Sequence, residues 1–465
     1  MWLLQPVQRP LHRERAPMTQ TGRGLSRRDL LVRSAAWGLA PGLFAHSSQA
    51  GKKQRRPRVA AIFTEFRFRS HAYNILENFF RPYLFDGRLV DPGVDIVSFY
   101  ADQFPDGDMA RDVAKRFGVP LYDSIEKAMC VGGNTLAVDA VLSIGEHGDY
   151  PLNELGQKKY PRKRFFDAAV AVMKRANRFV PLFNDKHYSY RWDWAREMVD
   201  VARANHMPLL AGSSVPLAQR RPGLELPRGT RITEAISIHG GQLESYGFHG
   251  LEVLQSMVES RGETGETGIA RVQVLEGDAL FDAARQGRWS MELAESAMLA
   301  ELDRRPRSMQ RLIASHENAT PHAILVEYRD GLKAAVLKVG SDSNRWNFAC
   351  RVEGESRPRA TALFNGPWGN RCLFKGLSHA IQAMFIHGRE PYPAERTLLV
   401  TGALDSAVRS HHAGGKLVPT PHLDISYAPT DFSDFRESGR SWQIITKHTA
   451  QPRDFDPGDR KFLDQ

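Results

Sequence analysis

Val138-Asp139-Ala140-Val141-Leu142-Ser143-Ile144 is a short apolar run of the type found in strands that are buried on both faces of a sheet. Four more runs of this type occur nearby, with helical segments between them. They cover residues 59–63, 94–100, 179–183 and 207–211. Strands that alternate with crossover helices form a parallel sheet covered on both faces. The sequence therefore predicts an α/β fold that begins with a Rossmann-type, doubly wound parallel sheet over residues 58–215.

The segments between these runs are predicted as crossover helices. The clearest covers residues 189–205, where apolar side chains recur at i, i+3 and i+4. Asp123-Ser124-Ile125-Glu126 has the pattern of a capping box and predicts the start of another helix. We expect the remaining helices at residues 72–80, 108–117 and 165–175.

The character of the sequence changes after Val215. Residues 216–231 are rich in Pro, Arg and Gly, which is typical of a connection. Antiparallel strands are predicted after it, at residues 270–275, 323–328, 333–339 and 346–352, and two helices follow at 376–387 and 397–413. This pattern predicts a C-terminal α+β domain over residues 216–429, with an open, mostly antiparallel sheet. We expect the polar and aromatic tail, residues 430–465, to wrap around the body.

The N-terminal region predicts export. Ser26-Arg27-Arg28-Asp29-Leu30-Leu31 precedes a short apolar stretch, and Ser48-Gln49-Ala50 fits a cleavage site, so residues 1–50 are interpreted as a twin-arginine signal peptide. Met18 is an alternative start. The apolar stretch is too short to span a bilayer. We expect the twin-arginine machinery to carry the folded protein to a periplasmic or other extracytoplasmic location.

The basic charge of the chain is confined to its beginning. The formal net charge is +10, and residues 1–50 together with the basic junction at 51–57 and Arg58 account for all of it. This distribution gives no support for a nucleic-acid partner. The basic run at residues 158–164 is most simply a solvated face. Cys130, Cys350 and Cys372 are too few for a disulfide scaffold, and their spacing matches no zinc motif, so we expect no metal.

Four segments carry a family resemblance by their order and spacing. Residues 116–126 look like a second crossover, and residues 138–151 resemble a fourth strand with the loop over a nicotinamide. Asn184-Asp185-Lys186-His187 stands where the family has Glu-Lys-Pro, and residues 246–252 resemble its Gly-x-His-x-x-Asp segment. Together they resemble the glucose–fructose oxidoreductase, inositol dehydrogenase and rhizopine-catabolism (Gfo/Idh/MocA) proteins over residues 58–425.

The resemblance implies a function and a set of site residues. It implies hydride transfer between a sugar- or polyol-like alcohol and NAD or NADP, in a chain that we expect to form a homo-oligomer. Lys186 and His249 would be the catalytic residues, because oxidising an alcohol requires a base for its proton and a cation beside the developing alkoxide. We expect cofactor contacts from Thr64, Arg67, Arg69, Asp102, His147 and Lys186. We expect substrate contacts from Glu244, Tyr246 and Glu252.

The sequence departs from the family at the dinucleotide loop. When His71 is aligned with the family's histidine, Phe63, Glu65 and Phe68 occupy the three glycine positions that let a backbone approach a pyrophosphate. A carboxylate about 4 Å from a phosphate costs roughly 4 kcal/mol at an effective dielectric constant of 20. Either Arg67 and Arg69 offset this cost or grip phosphates by their side chains, or the anion site is lost.

A second departure and the lost glycines leave three functions open. Ser245 stands where the family has an aspartate four residues before its histidine. The first function is an exported oxidoreductase with a tightly held nicotinamide cofactor. The second is a non-catalytic descendant that binds a carbohydrate in the cleft between the two predicted domains. The third is a metal-assisted lyase or hydrolase that uses imidazole and carboxylate ligands. Its ligands would come from His147, His239, Glu244 and His249.

Overall fold

The strands and helices of the first half of the protein alternate as the sequence predicts. They are seen in a computed structural model that describes residues 55–263, 265–315 and 320–463. The strands are β1 (Arg58–Phe63), β2 (Tyr83–Phe85), β3 (Arg88–Val90), β4 (Asp95–Ala101), β5 (Leu121–Tyr122), β6 (Ala140–Ile144), β7 (Leu182–Asp185) and β8 (Leu209–Gly212). The helices are α1 (His71–Leu76), α2 (Ala110–Phe117), α3 (Ile125–Cys130), α4 (Arg162–Arg175) and α5 (Trp192–Ala204).

Six of these strands form the predicted parallel sheet, in the order β5-β4-β1-β6-β7-β8. β2 and β3 form a separate hairpin. Local chemistry sets the helix ends. Ser70 caps α1 by accepting a hydrogen bond from the Tyr73 amide, and Ser124 caps α3 through the Lys127 amide. The cap of α3 is therefore Ser124, one residue beyond the Asp123 that begins the predicted capping box.

The second half forms a mixed sheet of eight strands in the described residues. The eight strands are β9 (Gln219–Arg221), β10 (Ile232–His239), β11 (Ile269–Glu276), β12 (His322–Tyr328), β13 (Lys333–Lys338), β14 (Trp346–Val352), β15 (Arg359–Phe364) and β16 (Val418–Pro419). Their order is β16-β11-β12-β13-β10-β14-β15-β9, and only β10 and β13 pair in parallel. The mostly antiparallel sheet is thus confirmed. The helices are α6 (Leu243–Val258), α7 (Gly277–Arg285), α8 (Met291–Leu302), α9 (Met309–Ala314), α10 (Asn370–His387) and α11 (Ala394–His412).

Alternating side chains bury both faces of the second sheet. On β12, Ile324 and Val326 belong to the large core that includes α6 and α11, whereas Ala323 and Leu325 belong to a second core built with α7, α8 and α9. These three helices were not predicted from the sequence. Residues 216–231 were interpreted as a connection only, but residues 219–221 add the edge strand β9 beside β15.

The tail wraps around the body, as predicted from its composition. Phe455 packs edge-on against Phe66 at 5.1 Å and Tyr73 at 5.5 Å between ring centroids. Asp459 forms an ion pair with Lys375 on α10. The tail therefore closes one side of the first sheet and its helices.

The predicted signal peptide, residues 1–50, and residues 51–54 of the basic junction lie outside the described residues. Among the helices that the structure describes, none has the length and apolarity needed to cross a membrane.

Candidate active site

A pocket of about 480 Å³ lies beside the carboxyl ends of β1, β6 and β7. The loops after these strands contribute Arg69, His71, Glu146, His147 and Lys186 to it, because parallel strands bring their carboxyl ends to one edge. Helix α6 supplies a second wall. Its pocket-lining residues are Ser245, Tyr246 and His249. Five of the predicted site residues therefore line one pocket: Arg69, His147, Lys186, Tyr246 and His249.

Lys186 is held by a buried carboxylate that the sequence analysis did not identify. The Lys186 Nζ lies 3.2 Å from Glu146 Oε1, and the Arg162 guanidinium bonds the other carboxylate oxygen. Burial acts to raise the pKa of Glu146, but the charges of Lys186 and Arg162 hold it well below its ordinary value. Glu146 is therefore ionised, and it fixes the ammonium group at the pocket wall.

Arg162 corrects the interpretation of residues 158–164 as a solvated face. Its side chain is 2% exposed. Besides Glu146, it donates to Nε2 of His187 at 3.2 Å, and the Nδ1 of that histidine bonds the Ser189 carbonyl. A guanidinium supplies several donors in a fixed plane, so one Arg162 side chain can orient two neighbours.

His249 is oriented by a hydroxyl group. Its Nδ1 lies 2.6 Å from Ser213 Oγ, which also accepts a hydrogen bond from the Val215 amide. Burial, followed by the positive charge of Lys186, lowers the pKa of His249 well below its ordinary value. The imidazole is therefore neutral near pH 7. Trp346 packs edge-on against the ring with 5.2 Å between centroids, and Tyr246 stacks on Trp346.

Two more imidazoles, those of His71 and His147, line the same pocket. His71 Nδ1 is 2.6 Å from Asp185 Oδ2, and the His71 ring is 5.0 Å from that of His147. Burial, followed by the charge of His71, lowers the pKa of His147 to about 4. The His147 Nε2 is buried, and no residue of the described part of the chain hydrogen-bonds it. It is thus a free polar contact for a ligand.

Other predicted site residues lie outside the pocket lining. The Thr64 hydroxyl donates to the Glu146 carbonyl at 2.5 Å and so supports that loop. Glu244 lies on the first turn of α6, where burial and the charge of Glu146 raise its pKa. Glu252 is buried and accepts a hydrogen bond from Thr397 at 2.9 Å. Burial raises the pKa of Glu252 to about 7. Thr64 and Glu252 are thus buried beside the site, whereas Glu244 is half-buried and does not line the pocket.

The described residues contain no group of three His, Cys, Asp or Glu side chains that could hold a metal ion. Among the proposed ligands of the metal-assisted alternative, His239 lies away from the pocket lining, with its ring 5.3 Å from that of His322. This arrangement gives no support to a metal centre built from His147, His239, Glu244 and His249.

Comparisons with known proteins identify the fold. No protein-family model and no curated protein matches the chain. The solved structure of myo-inositol dehydrogenase from Lactobacillus casei in complex with NAD(H) and myo-inositol matches with a TM-score of 0.50 and 13% identity, covering 82% of this chain and 100% of that one. The chain has the fold of that dehydrogenase. The expected architecture, a Rossmann-type parallel sheet followed by an open, mostly antiparallel sheet, is thereby confirmed.

Two further structures are similar at comparable levels. GenD2 from gentamicin A biosynthesis, in complex with NAD, has 13% identity and a TM-score of 0.49, covering 78% of this chain and 96% of its own. An oxidoreductase from Agrobacterium radiobacter, in complex with NAD+, L-tartaric acid and magnesium, has 12% identity and a TM-score of 0.48, with coverage of 78% and 98%.

Within this dehydrogenase fold, the first loop of the parallel sheet is filled by its own side chains. Glu65 is 2% exposed and accepts a hydrogen bond from Arg67 Nε at 2.6 Å. Arg67 therefore offsets the Glu65 charge, and this ion pair engages its Nε and one terminal nitrogen. The Phe66 amide donates to the Asp108 carboxylate at 2.7 Å, so an internal anion occupies that backbone donor. The glycine-lined cradle of a Rossmann loop is absent here.

The residue expected to bind a ribose is also engaged internally. Asp102 accepts hydrogen bonds from Tyr100 at 2.7 Å and Tyr150 at 2.6 Å, and Arg164 donates to both of its oxygens. We call Asp102, Tyr150 and Arg164 the Asp102 clasp. Gln103 and Asp149 add a reciprocal pair of hydrogen bonds at 2.8 Å beside it. These contacts join the loops after β4 and β6.

Proposed function

We propose that this chain is an oxidoreductase that transfers a hydride between a sugar- or polyol-like alcohol and a nicotinamide cofactor. The observation that carries the proposal is the convergence of Lys186 and neutral His249 on one pocket at the carboxyl edge of the parallel sheet. The fold is shared with a myo-inositol dehydrogenase whose structure holds NAD(H) and myo-inositol, which supports this class of reaction and of cofactor.

The pocket residues divide the work of alcohol oxidation. A neutral His249 can accept the hydroxyl proton of the substrate, because its imidazole is uncharged near pH 7. Lys186, held in place by Glu146, stabilises the negative charge that develops on the same oxygen. Ser213 fixes the ring plane of His249. A bound nicotinamide supplies the hydride acceptor, and the reverse reaction reduces a carbonyl.

The two ends of the crevice differ in their fit to a dinucleotide. At the nicotinamide end, Lys186 and the unpartnered Nε2 of His147 are suitable polar contacts. At the other end, Glu65 and the Asp102 clasp do not fit a pyrophosphate and a ribose in the usual arrangement. A dinucleotide whose ribose hydrogen-bonds Asp102 in the usual way has to displace Tyr150 and Arg164 from it.

Bound nucleotide is the direct test. Protein purified after folding in the cytoplasm should release NAD or NADP on denaturation, identified by mass spectrometry, and should change in nicotinamide absorbance when a sugar is added. Lys186→Ala should lower turnover on the order of 100- to 1000-fold without loss of folding. Lys174→Ala, an exposed lysine on α4, is the matched control. A chain without nucleotide, without a thermal shift on adding NAD or NADP, and without turnover refutes the proposal.

The Asp102 clasp favours a second candidate, a carbohydrate-binding protein without redox activity. In this case the pocket binds a sugar with the same affinity whether or not a nucleotide is added. Isothermal titration with sugars in the absence and presence of NAD separates the two functions. In an oxidoreductase that binds both ligands in one site, NAD changes the affinity for the sugar.

We also propose that the chain is exported by the twin-arginine machinery. The basis is the Ser26–Leu31 motif and the apolar stretch after it. A reporter enzyme fused behind residues 1–50 should reach the extracytoplasmic space, and replacement of Arg27 and Arg28 by lysine should retain it in the cytoplasm. Export that is unchanged by this double substitution contradicts the assignment.

A further inference from the structure

Arg69 differs from the other cations near the pocket because it has no internal counter-ion. Lys186 and Arg162 both bond Glu146, and Arg67 bonds Glu65. The Arg69 Nε is buried, and it has no hydrogen-bond partner among residues 55–463 as far as the structure describes them. Within the same residues, no carboxylate forms an ion pair with its guanidinium. An enclosed donor without a partner is costly, so this group is suited to a ligand acceptor.

The position of Arg69 is determined by its surroundings. Its backbone adopts a φ of 66°, which is unfavourable for a side chain with a Cβ. The Asn74 side chain donates to the Arg69 carbonyl at 3.0 Å, and the guanidinium carbon lies 4.7 Å from the centroid of the Phe68 ring. A strained backbone that neighbouring groups hold in place is typical of functional positions. The arginine is thus placed before any ligand arrives.

The rest of the pocket does not cancel this charge. His147 and His249 are neutral near pH 7, since burial lowers the pKa of both. Lys186 and Glu146 neutralise each other. Arg69 therefore leaves the pocket with an excess positive charge next to groups that are suited to hydroxyls.

We propose that the pocket binds an acidic sugar, such as an aldonate or a uronate, whose carboxylate pairs with Arg69 through Nε and one terminal nitrogen. Arginine matches a carboxylate with two parallel hydrogen bonds, which explains why a buried Nε is left unpartnered in the free protein. The inference rests on the proposed function in one respect: the hydroxyl-bearing carbon of the same sugar faces Lys186 and His249. A cofactor phosphate is the rival anion for Arg69.

Matched sugar pairs test this ligand class without any nucleotide. Titration calorimetry should show that glucuronate binds more tightly than glucose, and gluconate more tightly than sorbitol, by on the order of 10- to 100-fold. Arg69→Gln should remove this preference by lowering the affinity for each acid to that of its neutral counterpart in the same variant. Arg69→Lys should retain part of it, because the charge stays but the paired geometry is lost. Arg111→Gln, an exposed arginine on α2, is the control and should keep the full preference.

Several results overturn the inference. The first is a parent protein that binds acid and neutral sugars equally or binds neither. The second is a preference that survives in a folded Arg69→Gln variant, as judged by its unfolding temperature. The third is an Arg69→Gln variant that loses affinity for ADP-ribose alone, which assigns the arginine to a cofactor phosphate. An acid preference in a protein without turnover leaves the ligand class intact and refutes only the oxidoreductase function.

Discussion

Replacement of Glu146 by glutamine tests the electrostatic centre of the pocket. The change keeps the shape of the side chain but removes the negative charge between Lys186 and Arg162, whose side chains are 10% and 2% exposed. Breaking a buried ion pair on one side costs about 3–5 kcal/mol, because the remaining charges stay in a poorly solvated place. With an unfolding entropy of about 2.1 cal/mol/K per residue over roughly 400 residues, the unfolding temperature should fall by about 4–6 °C.

The assay is thermal unfolding of the parent, Glu146→Gln and a surface control. Glu126→Gln removes a carboxylate from an ion pair with Arg175 in which both side chains are more than half exposed, so it should cost at most about 1 kcal/mol. The pH dependence gives a second check. The pKa of Glu146 is lowered in the folded state. Its contribution to the stability of the fold is therefore complete above the unfolded pKa of about 4.3, and it is lost as the pH falls through the lower folded pKa.

The difference in unfolding free energy between the parent and Glu146→Gln should therefore be constant from neutral pH to about pH 5 and should become smaller below pH 5. The reasoning is refuted if Glu146→Gln is as stable as the parent, or if it costs no more than the surface control. A double variant that also replaces Lys186 by methionine should recover part of the loss, because one of the two uncompensated charges is then absent.

Three further outcomes are expected. Tyr150→Phe frees one acceptor of Asp102, so ADP-ribose should bind about 2- to 12-fold more tightly in a titration; an unchanged affinity places the ribose elsewhere. Ser213→Ala releases the ring of His249, and kcat should fall by roughly 5- to 10-fold while KM is retained, whereas a raised KM with an unchanged kcat points to substrate binding. Phe455→Ala removes an aromatic ring from the packed tail and should cost about 3–5 kcal/mol in chemical unfolding; a variant with parental stability shows that the tail is not needed.

The first sheet could be predicted from the sequence because its strands are buried on both faces and read as short apolar runs. The strand β10 was not predicted, because Thr233, Glu234 and Ser237 interrupt its apolar pattern. Its pairing with β13 and β14 makes β10 a strand, and this pairing is seen only in the folded structure. The helices α7, α8 and α9 were not predicted, because they pack on one apolar face of the second sheet and the sequence did not show that this face is buried.

The site was predicted only where a residue follows a strand in a recognisable segment. Lys186 and His249 were expected from the family resemblance, and both line the pocket. Glu146 follows β6 in the same way, but carboxylates after strands are common and nothing in the sequence marks this one. Its partner Arg162 lies in a run of basic residues that resembles a solvated surface. Burial, rather than residue type, separates Arg162 from its neighbours.

The packing of the tail has a consequence for the order in which the chain can fold. Phe455 completes an aromatic cluster with Phe66 and Tyr73, which precede it by hundreds of residues, and Asp459 neutralises the buried Lys375. The layer around α1 therefore lacks part of its packing until residues 455–459 have joined it. A chain that lacks the segment from residue 455 onward therefore leaves the apolar faces of Phe66 and Tyr73 exposed, where they favour contact with other apolar surfaces.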